Sequence, residues 1–359
     1  MARIDSFLRL VLDQHASDLH FHAGSVPVIR HDGDLYPLPF RALTEDETVR
    51  FIFEILNDEE RARFQQEREV DLAYVLEGGA RFRVNVFTQS RGIGAVFRVI
   101  PARIPTIDEL RLPNVLKTLA QHTNGLVLIT GPTGSGKTTT LAAVVNEINR
   151  TSRRHVITVE DPIEFVHTPV QSVITQRQVG KHTDSFASAL RSALRESPDV
   201  IVIGEMRDYE TVQLGLSAAE TGILVFGTLH TNSAAKAIDR VIDVCPEEVH
   251  DQVRGLISVL LKGVMAQHLC KRASGEGRLA VTEMLLQTYA TANMIRENKI
   301  FQLDSFLQSS DHGGIGMKSL DSSIFDYVKG SLITADEALA IAHYPDILKR
   351  AIAELPEDA

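Results

Sequence analysis

Residues 129–141 read ITGPTGSGKTTTL. Gly131, Gly134 and Gly136 crowd into one short stretch, and Lys137 with a run of threonines follows at once. An apolar run, LVLIT (126–130), enters this stretch, and the helix-compatible TTTLAAVVNEINR (138–150) leaves it. Gly131, Gly136, Lys137 and Thr138 meet the spacing G-x-x-x-x-G-K-[ST], which sets successive backbone N–H groups and a helix N-terminus around phosphate. Gly131, Pro132, Thr133, Gly134, Ser135, Gly136, Lys137, Thr138 and Thr139 are therefore the candidate nucleotide-binding residues. Lys137 would neutralise β/γ-phosphate charge, and Thr138 would ligate Mg²⁺. What the nucleotide powers has to come from the rest of the chain.

Three further apolar runs follow: HVITV (155–159), DVIVI (199–203) and ILVFGT (223–228). Uniformly apolar strands separated by helical segments imply a parallel sheet covered on both faces, hence an α/β domain. Ligands of such sheets sit outside the carboxyl ends of the strands. There the chain places Glu160 and Asp161, with Glu164 close behind, and Glu205 after the next strand. One acid of this group is expected to hold Mg²⁺ or its waters, and another to orient an attacking water. His230, at the end of the fourth strand, can sense a γ-phosphate.

Before this domain, residues 1–100 read as a small α+β domain. The first residues are amphipathic, with Ile4, Phe7, Leu8, Val11 and Leu12 on one face, which indicates a helix rather than a signal peptide. Strands are expected in residues 26–38 with a turn at Asp32–Gly33, and in 70–78, 80–90 and 92–100. One helix, 44–56, starts at a Thr44/Glu47 capping box. PARIPTIDELRLP (101–113) holds three prolines and is the expected linker. Residues 114–285 form the nucleotide domain and 286–359 a helical extension; from about residue 250 the chain reads as helical and strand-poor.

The composition narrows the function. Of 359 residues, 37 are basic and 47 acidic, and no tryptophan occurs, which argues against nucleic acid as the partner. The two cysteines, Cys245 and Cys270, are far apart and exclude a four-cysteine zinc site. His20, His22 and His31 lack acids or cysteines in ligand spacing, so no zinc site is expected there. The most apolar later stretch, 255–266, is short and broken by Lys262, so a cytoplasmic protein is expected.

EDPIEF (160–165), IGEMRD (203–208) and ETGILVFGTLHTNSAAKAIDR (220–240), with the opening ASDLHFHAGSVPVIRHDGDL (16–35), resemble the secretion ATPase superfamily, the motors of type II secretion and type IV pili. The resemblance covers nearly the whole chain. It implies a PAS-like N-terminal domain, a RecA-like P-loop NTPase domain and a helical tail, assembled as a homohexamer that hydrolyses ATP with Mg²⁺. It implies that 131–138 is the Walker A loop, that Glu160, Asp161 and Glu164 form an acidic box, that Glu205 belongs to an atypical Walker B segment, and that His230 belongs to a histidine box. In this family the acid matching Glu164 is taken to polarise water, and the one matching Glu205 acts near Mg²⁺. From the residues alone, Glu160 and Glu164 are not ranked as the base.

The family also implies arginines presented to nucleotide on a neighbouring subunit. Arg81 and Arg83, two apart, share a strand face, and Arg98 lies in the next strand. Arg191 and Arg195, four apart, share a helix face, and Arg207 follows Glu205. Two positions depart from the family pattern: Ile223 stands where a second histidine is usual, and Ala292, in ATANMIRE (290–297), stands where an arginine is usual. With one small domain before the linker and no cysteine-rich insertion, the chain fits the pilus-retraction branch. Its expected partners are other copies of itself, an inner-membrane pilus platform protein and a paralogous ATPase, with a peripheral place at the inner membrane. The alternatives are an extension or secretion ATPase, an accessory retraction paralogue, and, of different classes, a nucleic-acid translocase or a non-hydrolysing switch.

Overall fold

The computed structural model describes residues 2–31, 33–100, 103–309 and 314–355. Asp32 of the expected turn, the first two residues of the expected linker and the last four residues of the chain lie outside them. The chain forms two compact units, Met1–Arg103 with Pro162–Phe165, and Ile104–Asp161 with Val166–Ala359.

The first unit comprises α1 (Asp5–Asp13), β1 (Asp18–His22), β2 (Val28–His31), β3 (Asp34–Pro37), α2 (Glu45–Phe53), α3 (Asp58–Glu67), β4 (Glu69–Val75), β5 (Arg81–Gln89) and β6 (Gly92–Ile100). Its strands form an antiparallel sheet ordered β3-β2-β1-β6-β5-β4. Alternation on β5 buries Phe82, Val84 and Val86 completely and leaves Arg81 and Arg83 on the other face. Ile4 just before α1, and Leu8 and Val11 within it, pack into the same core, as the amphipathic pattern required. The Thr44/Glu47 capping box is present on α2. The expectation of one helix between the strands is corrected to two. DEERARFQQE folds as α3 behind an Asn57/Glu60 capping box, yet it buries only Phe64, so it lacks a readable apolar stripe.

The second unit contains α4 (Val115–Gln121), β7 (Gly125–Thr130), α5 (Lys137–Thr151), β8 (His155–Glu160), β9 (Val173–Gln178), α6 (Phe186–Ala193), β10 (Val200–Ile203), α7 (Tyr209–Glu220), β11 (Leu224–Thr228), α8 (Ala234–Asp243), α9 (His250–Leu260), β12 (Leu261–Lys271) and β13 (Arg278–Leu286). Its sheet runs β13-β12-β7-β11-β10-β8-β9, parallel throughout except for β13. Residues Leu126 and Leu128 of β7 face one core with α7 and α8, while Val127 and Ile129 face another with α5. Both faces are thus covered, which is why the central strands are uniformly apolar. Helices α10 (Tyr289–Arg296), α11 (Leu303–Gln308), α12 (Leu320–Lys329), α13 (Ala335–Ile341) and α14 (Pro345–Ala353) complete the chain. The last three close a small core over Cys270, Leu279 and Val281 of β12 and β13.

The strand-poor reading beyond residue 250 is corrected here. Residues 261–286 form the hairpin of β12 and β13, and the chain passes from α9 into β12 between Leu260 and Leu261 without a glycine or proline to mark the change. No helix among the described residues is long and apolar enough to cross a membrane.

His167 is 8% exposed, its Nδ1 is buried without a hydrogen-bond partner among the described residues, and burial lowers its pKa to about 4. The unfolded chain therefore takes up a proton between about pH 6.5 and 4 that the folded chain refuses, so the native state loses stability as pH falls through that window. Chemical denaturation of the wild type and of His167→Gln at pH 7 and pH 5 checks this. The wild type should lose roughly 2 kcal/mol more than the variant on acidification.

Candidate functional site

Strand β7 is buried along its whole length and ends at Thr130, whose Oγ1 donates to the Thr231 carbonyl at 2.7 Å and accepts from the Thr231 N–H at 2.9 Å. The loop that follows turns on glycines for steric reasons. A Cβ on Gly131 would lie 2.2 Å from the Gln267 carbonyl oxygen, and Gly136 has φ +88° where α5 begins. Pro132, Thr133 and Gly134 form the exposed tip, whereas Ser135 and Lys137 are buried. Thr138 and Thr139 lie half-buried in the first turn of α5.

Lys137 is 8% exposed and its Nζ donates to the carbonyl oxygens of Gly131 (2.6 Å) and Pro132 (3.0 Å). Burial lowers its pKa, with the Glu205 charge opposing the shift. Among the described residues no carboxylate pairs with it directly. Ser135 Oγ is buried and has no hydrogen-bond partner among the described residues. A buried cation with only carbonyl dipoles, an orphaned hydroxyl and the N-terminus of a 15-residue helix are the donors that a polyphosphate satisfies, so the residues fit the nucleotide.

Beside the loop, Glu205 follows β10. Its Oε1 takes Arg207 Nε at 2.6 Å and His230 Nε2 at 3.1 Å. Burial pushes the Glu205 carboxyl up, but the Arg207 hydrogen bond, helped by His230, outweighs it and holds the group below the usual glutamate range. His230 Nδ1 reaches Thr133 Oγ1 at 3.5 Å, so one imidazole spans the carboxylate and the loop tip. The backbone fastens the same edge: Gly204 N–H donates to the Val159 carbonyl (2.8 Å), and Leu229 N–H to that of Ile129 (3.2 Å). Thr138 carries a hydroxyl and Glu205 and Asp161 carry carboxylates, the types of oxygen ligand that Mg²⁺ accepts.

The remaining residues singled out from the sequence fall in several places. Glu160 ends β8, and its Oε1 accepts from Thr158 Oγ1 (2.6 Å) and Gln176 Nε2 (3.1 Å). Asp161 is exposed, and its charge raises the Arg207 pKa after the larger effect of the Glu205 hydrogen bond. Glu164 belongs to the first unit, where Arg83 Nη1 lies 3.4 Å from its Oε1. Arg98 sits opposite Arg83 in the β5–β6 register and pairs with the buried Asp18 at 2.7 Å. Arg81 has no carboxylate partner among the described residues, and its Nε is buried without a hydrogen bond. Arg191 pairs with Glu210, and Arg195 Nη1 donates to the Arg191 carbonyl at 2.9 Å. Ile223 lies in the core at the start of β11, a strand's length of roughly 17 Å from the edge that carries His230.

Gln267 and Glu283 are additions that the sequence reading missed. Gln267, on β12, is 2% exposed and bonds both the loop and α5. Glu283, on β13, is equally buried and accepts from the Ala234 N–H at the start of α8 (2.7 Å) and the Leu320 N–H at the start of α12 (3.3 Å). Both lie in the stretch expected to be helical, where neither would be aimed at the site.

Comparison with known proteins gives a consistent result. The family described as Type II/IV secretion system protein matches residues 2–299. A type IV pilus retraction ATPase, PilT of Pseudomonas aeruginosa, is 47% identical over 96% of this chain and 99% of its own length. The type IV pilus ATPase PilU of the same organism is 39% identical over 94% of this chain and 88% of its own. The crystal structure of a pilus retraction motor, PilT, with bound ADP superposes with a TM-score of 0.87 at 40% identity, covering 98% of this chain and 100% of that one.

The Gly131 contact is directly testable. Gly131→Ala places a methyl against the Gln267 carbonyl, and should weaken ADP binding at least about tenfold and cost about 2 kcal/mol of stability. Calorimetric ADP titration and thermal melting check it; ADP affinity within twofold of wild type would contradict the geometry.

Proposed function

The chain belongs to the type II/IV secretion system protein family, and we propose that within it the chain is a homohexameric motor that hydrolyses ATP to retract a type IV pilus. Its likeness to a retraction ATPase covers 99% of that protein's length, whereas its likeness to a type II secretion ATPase covers 53%. The observation that carries the nucleotide reading is Lys137, a buried ammonium whose own loop provides only carbonyl oxygens.

In this reading Lys137, Ser135 and the first N–H groups of α5 grip the phosphates. Mg²⁺, when bound, neutralises phosphate charge, and Thr138, Glu205 and Asp161 are the residues that would hold it or its waters. Glu164 is the better candidate to polarise the attacking water. One oxygen of Glu160 already accepts from a hydroxyl and an amide, whereas the pairing of Glu164 is with one arginine. His230, bonded to the loop tip and to Glu205, relays the state of the γ-phosphate from one to the other. Ile223 sits in the core at the far end of β11, so the missing family histidine leaves this relay intact.

The triphosphate also asks for positive charge from outside its own loop. Arg81, Arg83 and Arg98 line the polar face of the N-terminal sheet and are the groups we assign to a neighbouring subunit's nucleotide. Arg81 is foremost, because Arg83 and Arg98 already have carboxylate partners. A head-to-tail contact of this kind closes into a ring. Its load would be an inner-membrane pilus platform protein, with a paralogous ATPase as a further partner.

Two measurements test the proposal. Arg81→Ala and Glu205→Gln, each below about a tenth of wild-type turnover alone, should regain activity when mixed; no rescue would exclude action in trans. Deleting the gene in its host should leave cells with surplus pili that do not withdraw, and loss of pili would transfer the protein to the extension branch.

A further inference from the structure

Gln267 lies 132 residues from Ser135 and 127 from Thr140 in sequence, yet its side-chain amide is bonded to both. Nε2 donates to the Ser135 carbonyl at 2.6 Å, and Oε1 accepts from Thr140 Oγ1 at 2.7 Å. Ser135 belongs to the phosphate loop, and Thr140 lies one turn into the helix that the loop opens. A primary amide, with a donor and an acceptor at fixed separation, is the side chain that can tie these two points together. The contact is close on every side. The Gln267 backbone oxygen occupies the space a Cβ on Gly131 would need, and its Nε2 stands 2.9 Å from where a Cβ on Gly136 would lie. The whole group is sealed from water, so neither the Ser135 carbonyl nor the Thr140 hydroxyl can exchange this partner for solvent without opening the loop.

We propose that Gln267 is a positioning residue for ATP: it clamps the phosphate loop to the start of α5 from the neighbouring strand β12, so that the loop N–H groups converge before the nucleotide arrives. This rests on the ATPase reading above and extends it to a residue outside the loop. A preorganised loop lowers the ordering cost at binding, so the clamp acts on nucleotide affinity rather than on the chemical step. A merely structural glutamine would act differently: its loss would lower the melting temperature and the amount of active protein, leaving KM in place.

The test is steady-state ATP hydrolysis by the full-length chain, with ADP affinity measured in parallel. Gln267→Met keeps the volume and removes both bonds, Gln267→Glu keeps the acceptor for Thr140 but turns an acceptor toward the Ser135 carbonyl, and Thr140→Val removes only the second bond. We expect KM for ATP and the ADP dissociation constant to rise roughly ten- to hundredfold in Gln267→Met and Gln267→Glu, and less in Thr140→Val, with kcat within about threefold of wild type. Gln267→Glu and Thr140→Val carry the test if the methionine variant does not fold. An unchanged KM, or a fall in kcat alone, overturns the inference. Absence of hydrolysis by the wild type would instead sink the ATPase reading, and is seen in the same experiment.

Discussion

Lys137 carries its ammonium into a site that leaves it 8% exposed, and its own loop offers it two carbonyl oxygens. Burying a cation without a paired anion is costly, and here the cost shows as a lysine pKa pushed below the ordinary value by burial. Much of the surrounding architecture follows from keeping this charge in place. Gly131 lets the loop pass against the Gln267 carbonyl, Gln267 holds the loop to α5, and Glu205 stands near enough for its field to oppose the shift. Phosphate oxygens are the groups that complete such a set of donors.

The scaffold explains why these residues meet. Four parallel strands deliver their carboxyl ends to one edge, so loops far apart in sequence become neighbours there. The β12–β13 hairpin adds the fastening. Gln267 holds the phosphate loop, His268 Nε2 contacts the Asn232 carbonyl at 3.2 Å, and Glu283 accepts the first N–H groups of α8 and α12. Through Glu283 the helix after the histidine box and the C-terminal helices share one buried carboxylate, which joins the nucleotide edge to the end of the chain.

The legible parts of the chain were those whose signal is local. The glycine–lysine loop, the four buried strands and the Thr44 capping box each declare themselves within a few residues, and each stands where the sequence pattern put it. What escaped was non-local. Strand β9 is polar, α3 has no apolar stripe, and β12 follows α9 with no turn residue at their junction, so periodicity had nothing to act on. Gln267 was invisible for the same reason, since a lone glutamine acquires meaning only when β12 is known to lie beside β7. The arginines are an intermediate case. Their shared face could be read from spacing, but the carboxylates that occupy Arg83, Arg98, Arg191 and Arg207 could not.

The most direct test of the central claim is the titration of the Lys137 side chain, followed by nitrogen-15-edited NMR with and without ADP. The structure requires a pKa below the ordinary 10.5 in the nucleotide-free protein, rising when the phosphates supply the missing negative charge. A lysine that titrates at its ordinary value and does not respond to ADP would contradict the account.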